Sequence, residues 1–269
     1  MARIGGVWMF LTLISVFMMP AEADLLIDPT GGTVIFDDSS NFDDAVSISR
    51  PLNFTFNFFD IPISAVDVST NGHLNFIGDA DFFNVPMPDP FMIARISPLW
   101  DDLIINAGNG AFIIEKGEPG VFYSVTWVNM EVLYAESGNS SGTARQTFQA
   151  VLIGAPTTIR GYSFVPGDIV FSYEFVDAAF ADDLGAIGAT VGLDKGDGLT
   201  FIPLPGDDDG LITNAQKNLL PTGVGAWIVF RPNGMGSYNA FVTPEPSLAI
   251  LLMVGLGLTV TWRYKRKNE

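Results

Sequence analysis

The feature that most constrains the fold is a strict two-residue alternation between residues 52 and 58. Its apolar positions are Leu52, Phe54, Phe56 and Phe58, and its polar positions are Asn53, Thr55 and Asn57. A period of two places the apolar side chains on one face of a β-strand and the polar ones on the other. The segment therefore predicts a strand with one buried face and one face in water.

Similar short segments recur along the chain, separated by turns rich in Gly, Pro, Asn and Asp. The predicted strands are 33–36, 52–58, 63–69, 74–77, 93–99, 111–115, 121–130, 147–153, 169–175, 189–193 and 226–231. Asn71-Gly72 suits the positive φ of a hairpin turn between 63–69 and 74–77. No segment predicts an amphipathic helix in this region. The pattern predicts an all-β fold, an antiparallel β-sandwich or a barrel-like domain.

Composition excludes several classes of protein. The 269 residues carry a net charge of −17, with 13 basic and 30 acidic side chains. Such a surface repels nucleic acid and anionic lipid and attracts cations or basic partners. The chain has no cysteine, so disulfides, cysteine nucleophiles and cysteine-ligated zinc are excluded. The core alone must stabilise the fold.

The N-terminus has the organisation of a secretory signal peptide. Arg3 supplies the positive start, residues 4–19 are uncharged and mostly apolar, and Ala21-Glu22-Ala23 forms an Ala-x-Ala cleavage pattern. Cleavage is expected after Ala23, so residues 1–23 are excluded from the folded domain.

The C-terminus combines three physical elements in a fixed order. After a predicted linker at 232–243 come Pro244, Glu245 and Pro246, which are stiff because each proline fixes its own φ. Residues 247–262 follow as a short apolar segment that predicts a transmembrane helix. The chain then ends with a basic cluster that is expected to stay cytoplasmic: Arg263, Lys265, Arg266 and Lys267.

This tail at 244–267 resembles the PEP-CTERM sorting signal of exported bacterial proteins. The resemblance implies that a membrane-embedded exosortase recognises the Pro244-Glu245-Pro246 tripeptide and cuts near it. It also implies a Gram-negative source, an inner-membrane precursor, and a mature form at the cell surface or in an extracellular matrix with exopolysaccharide and biofilm. The alternative is an ordinary single-pass anchor, which would still tether the domain to a membrane.

The central chain resembles nidogen-like (NIDO) domains over residues 66–231, with 24–65 supplying N-terminal strands. The resembling segments, in order, are 68–76 (VSTNGHLNF), 95–102 (RISPLWDD), 125–129 (VTWVN), 147–153 (TFQAVLI), 169–173 (IVFSY) and 191–198 (VGLDKGDG). The resemblance implies an extracellular, all-β, non-enzymatic domain associated with cell–matrix adhesion. The cysteine-rich and EGF-like modules that accompany the domain in animals are missing.

Candidates for catalysis are few, and we expect no catalytic residues. His73 is the only histidine, so any Ser-His-Asp triad must use it. Its place after Asn71-Gly72 favours a surface turn residue instead. The alternative function is a secreted carbohydrate-active enzyme on a β-sandwich, which needs only two carboxylates at a defined separation. Such an enzyme requires a groove with two facing carboxylates, one of them with a raised pKa.

Calcium is the more plausible ligand, because hard oxygen donors are abundant in the turns. The weak candidates are Asp194, Asp197, Asp207 and Asp209. Neither acidic segment has the spacing of an EF-hand. Asp and Gly also form turns without a metal, and we favour that interpretation, so no metal or other cofactor is assigned. Asp101 and Asp102 are expected to hold the geometry of the 95–102 motif.

Overall fold

The computed structural model describes residues 25–81, 83–133, 145–177, 182–183, 186–213, 215–222 and 226–243. The predicted signal peptide (1–23) and the predicted sorting tail (244–267) lie outside the described residues. Among the described residues, no helix is long and apolar enough to cross a bilayer.

The described chain is built from strands and contains no α-helix. One 3₁₀ turn lies at Lys217–Leu219. The strands are β1 (Thr33–Phe36), β2 (Val46–Phe58), β3 (Ile61–Ser69), β4 (Leu74–Asn75), β5 (Arg95–Trp100), β6 (Leu103–Ile104), β7 (Phe112–Glu118), β8 (Phe122–Val132), β9 (Arg145–Ile153), β10 (Thr157–Ile159), β11 (Tyr162–Phe164), β12 (Ile169–Val176), β13 (Asp182–Asp183), β14 (Ala186–Ile187), β15 (Ala189–Asp194), β16 (Phe201–Pro203), β17 (Leu211–Ile212), β18 (Ile228–Pro232) and β19 (Tyr238–Val242).

Two antiparallel sheets form the framework. The first sheet has the order β1-β7-β8-β9-β12-β18-β19, with β6 paired to β8. The second sheet has the order β16-β15-β5-β4-β3-β2, with β17 paired to β15. Two small hairpins, β10-β11 and β13-β14, are not hydrogen-bonded into either of these sheets. Neither large sheet closes on itself, so the sandwich expectation is confirmed and the barrel-like alternative is not.

The core lies between the inner faces of the two sheets. Trp127 of the first sheet stacks on Phe148 at 5.1 Å between ring centroids. Val68 and Ile96 of the second sheet are fully buried in the same cluster. The alternation predicted in 52–58 is confirmed, since the apolar residues of that part of β2 are buried or half-buried while their polar neighbours are exposed.

The outer face of the first sheet is also covered. Leu26 and Ile27 pack there against Val151 and Trp227, in a second apolar cluster that the β10-β11 hairpin completes. Backbone groups of the N-terminal segment are satisfied by sheet side chains: Leu26 N donates to Ser172 Oγ (3.1 Å), and Ile27 exchanges two hydrogen bonds with the Gln149 amide. This explains why β9 is buried on both faces.

Strand pairing corrects the predicted linker at 232–243 and is consistent with 24–65 supplying strands of the same domain. Residues 232–243 are not a linker, because they contain β19, which pairs with β18 from Pro232↔Tyr238 to Ile228↔Val242. The Asn233-Gly234 signal marks the hairpin turn between them, where Asn233 Oδ1 accepts from Met235 N (2.9 Å). Likewise, β2 and β3 pair from Val46↔Ser69 to Phe58↔Ile61, so 24–65 is inseparable from the following segment.

Candidate functional site

The outer face of the second sheet is polar and is covered by residues 76–81 and 83–94, here called the cover loop. The strand predicted at 74–77 is shorter than expected, because β4 ends at Asn75 and the loop begins at residue 76. Polar side chains of the sheet bond the loop backbone: Asn75 Nδ2 to Asp79 O (2.6 Å), Trp100 Nε1 to Asp81 O (2.9 Å), Thr190 Oγ1 to Val85 O (2.8 Å) and Asp67 Oδ2 from Gly78 N (2.6 Å). These bonds satisfy backbone groups that the loop's position against the sheet removes from water.

Arg95 fastens the cover loop to the sheet through its charge. Its side chain is 1% exposed and donates two hydrogen bonds to Asp79 (3.1 and 2.6 Å) and one to Asp89. The guanidinium also lies 4.0 Å from the ring centroid of Trp100. A buried cation is tolerated only when it is paired, and here both carboxylates belong to the loop. In the sequence, the signal for this buried ion-pair site is the single arginine at the start of an otherwise apolar strand. Its carboxylate partners, Asp79 and Asp89, were not predicted.

Asp194, one of the weak calcium candidates, belongs to the same buried layer. Its two oxygens accept hydrogen bonds from Asp89 N (2.6 Å) and Gly196 N (2.7 Å). Burial raises the pKa of this carboxyl. Asp194, the last residue of β15, therefore holds the cover loop at Asp89, and both of its carboxylate oxygens accept hydrogen bonds from backbone amides.

His73 lies at the centre of this layer rather than on the surface. It has no exposed area, its ring meets Trp100 edge-on at 5.4 Å, and Nε2 is 3.5 Å from Asp79 Oδ2. Among the described residues, Nδ1 has no hydrogen-bond partner, and Nε2 has only this long contact with Asp79. Burial lowers the pKa of His73 below its ordinary value of 6.5, and the facing Asp79 opposes this only in part. Burial therefore favours the neutral form of the imidazole.

The prediction of His73 as a surface turn residue is wrong because the turn itself is buried. Gly72 has φ +76°, and a Cβ there would lie 1.9 Å from Leu99 O, so the hairpin is pressed against β5. The Asn-Gly signal correctly located the turn but not its surroundings. A ring sealed from solvent has no access to a substrate, which a general base requires.

The 95–102 motif ends in a second set of buried polar contacts. Asn71 Oδ1 accepts from Leu103 N (3.0 Å), and Asn71 Nδ2 donates to Asp44 Oδ1 (2.8 Å). Asp101 Oδ1 accepts from Asp102 N (2.9 Å). This hydrogen bond lies just after β5, where Asp101 was expected to hold the geometry of the motif.

One acidic corner brings carboxylates together in the described part of the chain. Oxygens of Asp43, Asp44 and Asp102 lie within 4.8 Å of one another, with Asp43 and Asp44 exposed and Asp102 buried. Burial, followed by the neighbouring Asp44, raises the pKa of Asp43. Oxygen donors of this kind suit calcium, but exposed carboxylates also cluster without a metal. Sequence reasoning missed the corner because no local pattern shows that the β1–β2 connection meets the end of β5.

The remaining calcium candidates form turns. Asp197 accepts from Leu199 N (3.0 Å) and Thr200 N (2.6 Å), while Asp207 and Asp209 accept from Gly210 N (2.6 Å) and Leu211 N (3.1 Å). Among the described residues, the acidic corner is the only group of three or more possible ligands close enough to share an ion, and it includes none of these candidates.

Comparison with known proteins gives one match. A family model described as NIDO related matches residues 22–209, which include both the Asn71-Gly72 hairpin and the 95–102 motif. No curated protein and no solved structure matches the chain. The match begins well before residue 66, in agreement with the pairing of β2 and β3 across that position. Because the match spans most of the chain, this protein belongs to the NIDO-related family.

Proposed function

We propose that this protein is an exported bacterial surface protein whose sandwich binds a component of the extracellular matrix without catalysing a reaction. The observation that carries the proposal is the NIDO-related match over residues 22–209. Membership of that family indicates an extracellular, adhesion-type domain. The strands of the described residues, from β1 at Thr33 to β19 at Val242, all lie between the predicted cleavage after Ala23 and the Pro244-Glu245-Pro246 tripeptide.

The terminal segments supply the route in this proposal. The signal peptide directs export, and the apolar segment 247–262 holds the precursor in the inner membrane of a Gram-negative cell, with the basic end at 263–267 on the cytoplasmic side. An exosortase then cuts near Pro244-Glu245-Pro246. The mature domain remains at the cell surface or in the matrix, where its partners are extracellular polysaccharide or matrix proteins.

Three features support a binding role over a carbohydrate-active enzyme. His73 is sealed inside the fold, so it cannot reach a substrate. Asp194 has a raised pKa, but both its oxygens are occupied by backbone amides. Asp43 has a raised pKa too, but the acidic corner contributes no residue to the pocket beside the β2-β3 turn or to the pocket around Gly31 and Tyr123. A glycosidase needs its acid and its second carboxylate facing each other across a substrate groove.

The first test is the intact mass and location of the protein in its native cells. We expect a mass from residue 24 to a point near Pro246, found outside the membrane. Replacement of Glu245 (Glu245→Ala), or deletion of 263–267, should leave the precursor in the membrane, while Glu269→Ala serves as the matched control. Processing and release of the Glu245 variant as in the wild type would overturn the sorting proposal.

The adhesion proposal is tested separately. Cells lacking the protein should lose matrix material from the cell surface, and the processed wild-type protein should bind isolated matrix in a sedimentation assay. The same protein incubated with matrix polysaccharide should release no reducing ends. Release of reducing ends at a rate proportional to protein concentration would favour the enzyme instead.

A further inference from the structure

A pocket lies at the end of the sandwich, where the β2-β3 turn meets the β18-β19 hairpin. Its volume is about 180 Å³. This is smaller than the ~300–1,000 Å³ typical of sites for drug-sized ligands, so it suits a single small group. Phe59 and Tyr238 form an apolar part of its wall, and Thr55, Asn57, Asp60 and Ser237 contribute polar side chains.

The β2-β3 turn has an unfavourable composition for its conformation. Phe58 pairs with Ile61, so the loop has two residues, Phe59 and Asp60, with φ of 48° and 63°. Such turns strongly prefer Asn-Gly or Asp-Gly, and a bulky residue at positive φ is an outlier. Phe59 is nevertheless held there by T-shaped contacts with Phe58 (4.8 Å) and Tyr238 (5.0 Å). Strain that is retained in this way is often associated with function.

The turn directs the Asp60 carboxylate to the wall of the pocket. A Cβ at position 236 would lie 2.7 Å from Asp60 Oδ2, and Gly236 has φ +71°, so a side chain there would displace the carboxylate. Asp60, Thr55 and Asn57 are exposed and Ser237 is half-buried, so their polar groups are open to a ligand at the pocket.

We propose that this pocket binds a cationic group on an apolar stem, an alkylammonium or guanidinium such as the end of a lysine or arginine side chain. The residues that line the pocket include one carboxylate and no basic side chain. The whole chain carries a net charge of −17, which favours approach of cations. The exposed Pro166 and Pro232 of the lining offer apolar contact for the stem, while Asp60 and the neighbouring amide and hydroxyl oxygens accept hydrogen bonds from the head group. The site does not depend on sorting at the tail.

The test is an NMR titration of the protein purified from its own cells with N-acetyl-lysine methylamide. Saturable shifts are expected for the amides of Asp60, Gly236 and Ser237, with a Kd of about 1 mM. The neutral isostere N-acetyl-norleucine methylamide should bind about two- to fivefold more weakly, because it keeps the stem and lacks the charge. Glucose should cause no shifts at these amides.

The variant Asp60→Asn removes the charge and preserves the turn, because asparagine tolerates positive φ well. It should weaken lysine-probe binding about two- to fivefold and leave norleucine-probe binding unchanged. Asp208→Asn, which removes an exposed carboxylate outside the pocket, is the matched control and should change neither. Equal binding of both probes to the wild type, or specific shifts with glucose alone, would overturn the proposal, as would the absence of saturable shifts with the lysine probe.

Discussion

The two sheets of this sandwich solve the same packing problem by different physical means. The outer face of the first sheet is covered by an apolar cover, residues 25–28 with the β10-β11 hairpin, which buries Leu26 and Ile27 against Trp227. The outer face of the second sheet is covered by the cover loop, which is held by Arg95 and Asp89 and by side-chain bonds to its backbone.

The comparison teaches that the two covers should respond to different perturbations. Apolar burial depends on area and shape, and it is insensitive to pH. A buried ionic layer depends on every partner being present, and it responds to protonation. Breaking each cover in turn therefore separates the two contributions to stability.

The largest effect is expected for Arg95→Met. The substitution leaves the buried carboxylate of Asp89 and the largely buried one of Asp79 without their cation, at a cost of about 3–5 kcal/mol in the free energy of unfolding. Denaturant unfolding measures it. Lys195→Met, which breaks the partly exposed pair with Asp197 (3.3 Å), should cost less than about 1 kcal/mol. Similar losses in both variants would show that the buried pairs do not hold the cover loop.

Leu26→Ala should have the next largest effect, about 2–3 kcal/mol, because it leaves a cavity in the apolar cover. Leu199→Ala, at an 82% exposed position, should stay within about 0.5 kcal/mol of the wild type. The loss in Leu26→Ala should be equal at pH 7 and pH 5. A loss that changes with pH would contradict the assignment of this cover to apolar burial.

Acidification should weaken the polar cover through His73. Its pKa is lowered in the folded state by burial, so the unfolded chain binds more protons below the ordinary value of 6.5. The contribution of the neutral, buried imidazole to the free energy of unfolding is fully present above pH 6.5. It is lost as pH falls below that value, by at most about 1.4 kcal/mol per pH unit. Unfolding measured between pH 7 and pH 5 should show this slope in the wild type and a smaller one in His73→Asn.

A further acid-dependent loss is expected at lower pH from Asp79. Burial raises the pKa of this carboxyl, but the facing His73 and Arg95 outweigh it and hold the pKa well below its ordinary value of 3.8. The contribution of the ionised Asp79 to the free energy of unfolding is present above pH 3.8 and is lost as pH falls further.

The His73 prediction is contradicted if the free energy of unfolding changes equally with pH in the wild type and in His73→Asn between pH 7 and pH 5. That result would exclude His73 as the titrating group.

The smallest effect is expected for Ser172→Ala, which removes the acceptor of the Leu26 N hydrogen bond (3.1 Å). A buried backbone N–H without its partner should cost about 1 kcal/mol. Thermal unfolding of this variant beside Leu26→Ala compares the hydrogen-bond and apolar contributions within one cover. A cost above that of Leu26→Ala would mean that hydrogen bonds, rather than apolar burial, dominate there.

Much of the framework follows from local pattern. The alternation in 52–58 correctly predicted a strand and its core-facing side chains, because the side-chain period of a strand is independent of its partners. The Asn71-Gly72 hairpin was predicted for the same reason, since its backbone conformation is a local requirement. The family resemblance correctly identified the central domain.

The surroundings of those elements were decided by tertiary structure alone. Sequence determined that His73 follows a turn, but the fold decided that β5 and the cover loop bury that turn. The sequence predicted a linker at 232–243, but β18 offered an unpaired edge that β19 completes. The physical reason is that a local pattern reports the conformation of a segment and the polarity of its faces. Which distant segment covers a face depends on pairings far apart in the chain, as between Asp89 and Asp194, and no local period encodes them.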